Sequence, residues 1–357
     1  MIVSFMFLLN LKVRSLMKRR LRVPKIRQKS FVKAIKFESD CQTEWHKYIP
    51  ELKNFKLQSV KFLTISGDAP KDFICDREYR PGHRSSQYPF EKFIAKVGSK
   101  YYPLESIVEQ LITRIGECFD VRIAKSKLRT VDGQVRFLSR YFLKGGEQLT
   151  HGAEIYEYSL GKENYKELSE QRKEAEYFTF QMTCETIREL FPEDAERIVQ
   201  GYVEMLTFDA LIGHNDRHPY NWGVIVPLRR SAKPRFSPIF DTARALFWNI
   251  PETKVVLMLS DKAAFEAYVR KCEPPIGWDG KKNIAFFELI GVIWNEFPSY
   301  RANIEKFLDV RLLKEFAEVL DKEFGDLLSQ DRRELINRCL HLRQKTLIDN
   351  IFQYRES

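Results

Sequence analysis

A change in residue pattern near Gly145-Gly146 constrains the fold of this 357-residue chain more than any other feature. Before this point, short apolar runs alternate with turn residues, which is typical of β-strands. These runs are residues 61–65, 90–98, 121–131 and 134–143. After it, apolar residues recur at helical spacing. The helical patterns cover residues 166–190, 194–212, 284–297 and 302–349. We therefore expect an α+β protein whose small β-rich part precedes a larger, mainly helical part.

The β-rich part also contains one predicted helix and one predicted hairpin. From Leu104 to Glu117 the apolar residues lie three or four positions apart, which predicts a helix with one buried stripe. Asp132-Gly133 separates the last two β-type runs and suits a tight hairpin turn, because such turns require positive φ angles. We place the boundaries at residues 1–54 for a basic arm and accessory segment, 55–143 for a small lobe and 144–357 for a large lobe.

The net charge of +10 is concentrated at the N-terminus. Eleven lysines and arginines lie between Lys12 and Lys36, ahead of the first acidic residue, Glu38. The remainder of the chain carries 48 basic and 49 acidic residues and is therefore nearly neutral. A basic arm of this kind is either a solvated tail or a weak contact for nucleic acid or an anionic membrane.

Cysteine spacing and the first residues indicate the compartment. The six cysteines are widely spaced and form no C-x-x-C pair, which favours reduced thiols in the cytoplasm. Residues 1–11 are apolar but too few to span a bilayer, and the positive charges follow them, the reverse of a secretory signal. Either translation begins at Met17 or the apolar stretch is a small anchor. We expect a cytoplasmic protein and leave secretion as an effector open.

The most informative polar residues lie in residues 211–226, LIGHNDRHPYNWGVIV. Asp216 and Asn221 have the spacing of the catalytic aspartate and the metal-binding asparagine in the protein-kinase loop H-R-D-x-x-x-x-N. In that chemistry the carboxylate takes or orients the proton of the attacking hydroxyl, and the amide oxygen holds Mg²⁺. His218 stands where protein kinases commonly carry a lysine facing the transferring phosphate. Twenty residues after Asn221, a predicted apolar strand ends at Asp241, which suits a Mg²⁺ ligand.

The pattern D-x-H-x-x-N followed by P-I-F-D resembles that of HipA-like kinases, distant relatives of phosphoinositide and protein kinases. The resemblance covers roughly residues 80–350. It implies a two-lobed protein-kinase-like fold, ATP and Mg²⁺ as cofactors, and a protein serine or threonine as the acceptor. It also implies that Lys96, on a strand, binds the ATP phosphates. Glu109 is the implied partner that positions this lysine, and Glu105, one turn earlier, is the alternative.

The same resemblance suggests where the nucleotide lies. The segment that joins the two lobes in the family would hold adenine through Ser139, Arg140, Tyr141 and Phe142. The best candidate by position for the phosphate loop consists of Gly82, His83, Arg84, Ser85 and Ser86. Because related kinases phosphorylate themselves within this loop, Ser85 and Ser86 are candidate acceptors. A toxin- or effector-like role and a regulatory or antitoxin partner are further implications.

Other interpretations of the same residues remain open. A metal-dependent hydrolase would use His214, Asp216 and His218, which lie within five residues and can each ligate zinc. A nucleic-acid-binding regulator would act through the basic arm of residues 12–36. Taken singly, aspartate and asparagine residues also cap turns and end strands.

Overall fold

The computed structural model describes residues 45–52, 55–57, 71–76, 91–98, 104–131, 134–171, 177–229, 232–281 and 284–353. Several predicted features lie outside these ranges. They are the strand at residues 61–65, the Asp132-Gly133 turn, the phosphate-loop residues 81–86 and the basic arm of residues 12–36.

A five-stranded antiparallel sheet forms the β-rich part. Its strands are β1 Phe55–Leu57, β2 Lys71–Asp76, β3 Glu91–Lys96, β4 Ser126–Val131 and β5 Gln134–Arg140. Their order in the sheet is β1-β2-β3-β5-β4. In the register of β2 and β3, Lys71 lies opposite Lys96. This pairing sets two lysines side by side at one end of the sheet.

One helix, α1 (Glu105–Cys118), packs against β4 and β5. The apolar stripe predicted from Leu104 to Glu117 is confirmed, since Ile107, Leu111 and Ile115 are fully buried. These residues lie three or four positions apart, so all of them face the sheet side of the helix. Helix α1 therefore positions its polar residues relative to β3.

A second sheet of three antiparallel strands lies in the larger part. The strands are β6 Glu147–His151, β7 Gly223–Pro227 and β8 Arg235–Phe236, in the order β6-β7-β8. Strand β6 comes directly after Gly145-Gly146, in a part of the sequence where we expected helical patterns to dominate. It pairs with β7 and so reaches the loop that carries Asn221.

The larger part also contains ten α-helices within the described ranges. They are α2 Gly152–Leu160, α3 Lys162–Glu170, α4 Phe180–Leu190, α5 Ala195–Ile212, α6 Glu252–Ser260, α7 Lys262–Arg270, α8 Phe286–Glu296, α9 Arg301–Glu305, α10 Val310–Phe324 and α11 Gln330–Gln353. Helix α5 is buried along most of its length, and α11 packs against α5, α6, α8 and α10. The core of the larger part therefore surrounds α5 and α11.

Two of the long helical patterns each contain more than one helix. The pattern over residues 166–190 corresponds to α3 and α4, and α4 begins where the Thr179 side chain accepts a hydrogen bond from the amide of Met182. The pattern over residues 302–349 corresponds to α9, α10 and α11. There the Asp309 side chain accepts a hydrogen bond from the amide of Arg311 and starts α10. A capping side chain of this kind starts a new helix, although the helical spacing of the apolar residues continues on either side of it.

The regular strand predicted to end at Asp241 is not formed. The chain before it is extended but forms only a bridge between Ile239 and Ile123, with a bond from the Ile239 amide to the Arg122 carbonyl oxygen of 2.7 Å. A regular strand does not continue because Asp241 adopts a left-handed conformation with φ of 57°. The segment consequently connects the larger part to the loop that follows α1.

Residues 45–52 contact both parts of the molecule. The indole nitrogen of Trp45 donates to the Leu327 carbonyl oxygen at 3.1 Å, and Glu51 forms a parallel bridge with Thr130 of β4. Trp45 and Ile49 are buried in the main apolar core. Across the described ranges, no helix combines the length and the apolar character needed to cross a membrane.

Candidate active site

The loop after α5 begins at a glycine that the packing requires. Gly213 ends the helix with a left-handed φ of 71°, and a Cβ added to it would lie 2.5 Å from the Arg343 guanidinium. The loop then closes on itself, because the side-chain nitrogen of Asn221 donates to the Asp216 carbonyl oxygen at 2.8 Å. This bond uses the amide nitrogen of Asn221, so its amide oxygen is not needed to hold the loop.

A buried arginine connects this loop to the chain preceding Asp241. Arg217 donates to both carboxylate oxygens of Asp209 on α5, at 2.7 and 2.9 Å. Its remaining nitrogen donates to the carbonyl oxygens of Asn221 and Phe240, at 2.7 and 2.8 Å. Charge-assisted bonds of this kind fix geometry strongly. Sequence reasoning overlooked Arg217, although its position directly after Asp216 could have indicated a role in the loop.

Asp241 accepts bonds from two lysines of the sheet. Lys96 donates to Oδ1 at 2.8 Å, and Lys71 donates to Oδ2 at 3.3 Å. Burial opposes ionisation of this carboxyl, but the two lysines outweigh it and hold the pKa of Asp241 well below its usual range. Asp241 is therefore a carboxylate throughout the physiological pH range.

Lys96 also bonds to α1. Its ammonium donates to Oε1 of Glu109 at 2.6 Å, so the structure pairs it with Glu109 rather than with Glu105 one turn earlier. Burial alone would lower the pKa of Lys96, yet the adjacent carboxylates Asp241 and Glu109 raise it above its usual value. Burial raises the pKa of Glu109 to about 7, and Lys96 opposes this rise. Lys96 is thus charged and shared between two carboxyl groups.

Lys71 is a site residue that sequence reasoning missed. Its side chain is only 8% exposed and reaches Asp241 because β2 pairs with β3 so that Lys71 lies opposite Lys96. The sequence SGDAP of residues 66–70, a glycine-containing stretch directly before the strand, could have drawn attention to this lysine. The search for a phosphate loop settled instead on residues 81–86, which lie outside the described ranges.

Asp216 and His218 line the same cleft as Lys96 and Asp241. Nη1 of Arg244 lies 3.4 Å from Oδ2 of Asp216. Burial raises the pKa of Asp216, and Arg244 opposes the rise. Burial also lowers the pKa of His218, with Asp216 opposing. The His218 imidazole is therefore neutral at neutral pH.

The cleft has two connected compartments. One, of about 320 Å³, is lined by Glu109, Asp216, His218 and Arg244 among others. The other, of about 380 Å³, is lined by the predicted adenine-binding residues Ser139, Arg140, Tyr141 and Phe142. Residues that line both compartments are Lys71, Lys96, Tyr220, Asn221 and Asp241. The structure thus brings together every predicted site residue that it describes.

The second compartment has an apolar wall. The rings of Phe142 and Phe240 lie 5.6 Å apart, and Ile94 and Leu149 line the same space. The amide of Tyr141 already donates to the Lys92 carbonyl oxygen at 2.8 Å. A planar apolar group fits such a wall better than a charged one does.

The residues suit magnesium better than the zinc of the alternative hydrolase. Asn221 and Asp241 offer the oxygen donors that Mg²⁺ prefers, and phosphates usually complete its coordination. Within the described ranges, no group of three or more His, Cys, Asp or Glu side chains could hold a metal ion. The predicted zinc set of His214, Asp216 and His218 is therefore wrong. His214 is buried beneath the loop, with its Nδ1 4.0 Å from Oδ1 of Asp209.

A small antiparallel sheet with one helix, a larger helical part and a cleft containing the Lys96–Glu109 pair define a kinase-like fold, as predicted. The chain belongs to the family of the HipA-like C-terminal domain, whose model matches residues 63–285. This match confirms the resemblance found in the sequence.

A solved structure agrees with this fold. The chain is similar to the crystal structure of the Helicobacter pylori proinflammatory kinase CtkA, with a TM-score of 0.64 and 15% identity. The similarity covers 86% of this chain and 99% of that one. HipA from Shewanella oneidensis MR-1, solved with HipB and operator DNA, gives a TM-score of 0.47 at 13% identity, covering 84% of this chain and 70% of that one. No curated protein matches the chain.

Proposed function

We propose that this chain is an ATP- and Mg²⁺-dependent kinase that phosphorylates a serine or threonine hydroxyl of a protein. The observation that carries the proposal is the position of Lys96 between Glu109 and Asp241, in the cleft that Asp216 and Asn221 also line. A phosphoryl-transfer site requires a fixed cation, oxygen donors for a metal and a base for the hydroxyl. The HipA-like family and the kinase-like fold support the same conclusion.

The nucleotide would occupy both compartments. Its adenine would lie in the apolar compartment against residues 139–142, and its phosphates would extend towards Lys71 and Lys96. In the structure both lysines bond to Asp241. Phosphate oxygens are negatively charged, like the Asp241 carboxylate, and offer these ammonium groups additional partners. The lysines would therefore hold the phosphates beside the carboxylate.

Asn221 and Asp241 would hold the metal. Mg²⁺ bound by these two residues would neutralise negative charge on the phosphate oxygens. Asp241 is suited to this role because the pKa of its carboxyl is held well below its usual range, so it remains charged. The bond from the Asn221 side chain to the Asp216 backbone fixes the predicted metal ligand relative to the predicted base.

Asp216 would act on the acceptor. The hydroxyl oxygen attacks the γ-phosphorus, the bond from that phosphorus to the β–γ bridging oxygen breaks, and ADP leaves with the electron pair. The hydroxyl proton passes to the Asp216 carboxylate. His218, which is neutral because burial lowers its pKa, would donate a hydrogen bond to the transferring group from the same loop.

The acceptor is proposed to be a protein rather than a lipid. Apart from residues 12–36 the chain has no basic surplus with which to bind an anionic headgroup. Autophosphorylation at Ser85 or Ser86 and a regulatory or antitoxin partner stay predictions of the family resemblance. Residues 12–36 stay a predicted contact for nucleic acid or an anionic membrane.

The proposal is tested by incubating the protein with ATP labelled in the γ-phosphate, Mg²⁺ and a cell extract. We expect label in a protein serine or threonine, and no label when Asp241→Asn replaces the wild type. Phosphopeptide mapping of the kinase itself tests Ser85 and Ser86. Label that appears only in the lipid fraction, or equally with both proteins, contradicts the proposal.

A further inference from the structure

Arg244 lines the same compartment as Asp216 and has no part in the mechanism proposed for Asp216, Asn221 and Asp241. Its Nη1 lies 3.4 Å from Oδ2 of Asp216, and its side chain is 43% exposed. The guanidinium also lies over the ring of Trp248, 5.6 Å from its centroid. An arginine that is half exposed and held from two sides can exchange one partner while it keeps the other.

The backbone around Arg244 is fixed more firmly than its side chain. The amide of Asn215 donates to the Arg244 carbonyl oxygen at 3.4 Å, which joins this segment to the catalytic loop. Leu246 and Phe247 have left-handed φ angles of 44° and 62°, which side chains other than glycine rarely adopt. This conformation is held by further bonds. The Phe247 amide donates to the Tyr268 hydroxyl at 2.7 Å, and Arg332 donates to the Phe247 carbonyl oxygen at 3.0 Å.

The other cationic side chains near the catalytic loop are more deeply buried than Arg244 and are held in ion pairs. The side chains of Lys71 and Lys96 are 8% and 11% exposed, and both bond to Asp241. Arg217 is fully buried against Asp209. Of the lysines and arginines described as lining this compartment, Arg244 is the most exposed and the one beside the predicted base.

We propose that Arg244 exchanges its partner when nucleotide binds, leaving Asp216 and binding the γ-phosphate. The inference rests on the proposed kinase function and adds a residue to it. A guanidinium binds phosphate through two parallel, charge-assisted bonds, whereas its contact with Asp216 is long at 3.4 Å. Because the incoming phosphate is the more highly charged partner, it competes effectively for Arg244.

The exchange has two consequences for phosphoryl transfer. As the bond from the γ-phosphorus to the bridging oxygen breaks, charge develops on the phosphoryl oxygens, and Arg244 stabilises it. At the same time Oδ2 of Asp216 is released to accept the proton of the attacking hydroxyl. In the nucleotide-free chain the contact between Arg244 and Asp216 occupies the predicted base. Nucleotide binding would therefore free Asp216 and bring Arg244 to the phosphate in one step.

The variant Arg244→Gln tests the proposal, and Arg244→Lys tests the need for a bidentate group. Single-turnover transfer from labelled ATP should fall by about 10³-fold in Arg244→Gln, the lower end of the effect of a catalytic arginine in phosphoryl transfer. Mg-ATP should bind more weakly, whereas Mg-ADP, which lacks the γ-phosphate, should bind as in the wild type. Arg244→Lys should recover only part of the rate, because an ammonium makes one contact where the guanidinium makes two.

The comparison of ATP with ADP gives a readout that a structural role would not change. A structural loss in Arg244→Gln would weaken the binding of both nucleotides, whereas the loss of a γ-phosphate contact weakens the binding of Mg-ATP alone. The ratio of the two dissociation constants therefore reports the proposed contact directly.

Arg311→Ala is the matched control, because Arg311 also pairs with an aspartate but lies on exposed surface away from the cleft. It should leave the rate and the binding of both nucleotides unchanged. The inference is overturned if Arg244→Gln transfers phosphate like the wild type, or if the substitution weakens the binding of ATP and ADP equally. A wild type that neither binds Mg-ATP nor transfers label overturns the proposed function itself, so the two failures are distinguishable.

Discussion

Asp216 and Asp241 line the same compartment in different electrostatic surroundings. Asp241 is bonded by Lys96 and Lys71, which hold the pKa of its carboxyl well below the usual range against the effect of burial. For Asp216, burial raises the pKa and Arg244 opposes the rise. A permanently charged carboxylate suits a metal ligand, whereas one nearer its proton-accepting range suits a base.

Replacement of each aspartate by asparagine should separate the two roles. Asp216→Asn keeps the side-chain shape but removes the proton acceptor, so phosphoryl transfer should fall by about 10²-fold or more while Mg-ATP affinity stays near the wild-type value. Asp241→Asn removes a formal charge from the predicted metal site. Nucleotide affinity should then fall in magnesium and depend less on magnesium. Calorimetric titration with a non-hydrolysable ATP analogue, with and without Mg²⁺, measures the difference.

Two results would contradict this assignment. One is transfer activity retained in Asp216→Asn, and the other is an equal binding defect in both variants. Either would mean that Asp216 is not the base or that Asp241 is not the metal ligand, even if the chain proves to be a kinase.

Lys96 and its partner on α1 provide a second prediction. Lys96→Ala should weaken the use of ATP severely, because the ammonium that would neutralise phosphate charge is lost. Glu109→Ala should have a smaller effect, since Lys96 keeps its bond to Asp241 at 2.8 Å. The apparent KM for ATP measures both. Glu105→Ala on the same helix is the matched control, and a larger effect there than at Glu109 would place the functional pair one turn earlier.

At the scale of elements, sequence reasoning succeeded where one face of an element is buried. Helix α1 was predicted to within a residue because Ile107, Leu111 and Ile115 all face the core. Helix α6 was missed because its apolar residues form a continuous run. Only Val255 in that helix is buried, whereas Val256 and Leu257 are 52% and 64% exposed. A run of this kind has no helical period to detect.

The candidate site was predictable only in its local motifs. The spacing of Asp216 and Asn221 within one loop can be read from the sequence, since both residues belong to the same short turn. The contact of Lys71 with Asp241 depends on the register between β2 and β3, which no local pattern records. The contact of Arg244 with Asp216 joins two different loops, which no local pattern records either.

The buried pair of Asp209 and Arg217 should control the position of the catalytic loop relative to α5. Asp209→Ala leaves an unpaired, buried guanidinium, and breaking a buried pair in this way costs about 3–5 kcal/mol. Urea unfolding should show this loss, and phosphoryl transfer should fall with it because Arg217 also bonds to the Asn221 and Phe240 carbonyl oxygens. Burial raises the pKa of Asp209 and Arg217 opposes this, so protonation at low pH should weaken the same connection.

Glu170→Ala is the comparison for this prediction, since Glu170 forms an exposed pair with Lys166 one helical turn away. Exposed pairs contribute little, so stability should be nearly unchanged. Equal stabilities of the two variants would show that the Asp209–Arg217 pair does not hold the loop to the helix.

At the scale of the whole molecule, the two parts are joined on the side of α1. This helix packs against α10, and Arg114 of α1 forms an ion pair with Glu323 of α10 at 2.8 Å. Residues 45–52 add a second connection through Trp45 and Glu51, which contact opposite parts. The relative position of the sheet and the catalytic loop therefore depends on contacts remote from the cleft.

Two N-terminal truncations should have opposite outcomes. Removal of residues 1–36 takes away eleven lysines and arginines and leaves 48 basic against 49 acidic residues. Because the predicted site residues lie well downstream and the remaining chain is nearly neutral, ATP hydrolysis and autophosphorylation should persist. Removal of residues 1–52 also deletes the buried side chains of Trp45, Ile49 and Leu52. Deleting a buried tryptophan side chain alone costs about 3–5 kcal/mol, a large share of the stability of a typical domain.

Thermal unfolding and transfer of labelled phosphate, measured on both truncated proteins and on Trp45→Ala in the full chain, check this expectation. Trp45→Ala should lower the melting temperature and reduce transfer, because it removes both the buried ring and the bond to the Leu327 carbonyl oxygen. Trp45→Phe keeps most of the apolar volume and removes only the bond, so it should have an intermediate effect. If the protein lacking residues 1–36 is insoluble or inactive, the basic arm belongs to the fold and the functional unit begins earlier than the contacts of Trp45 indicate.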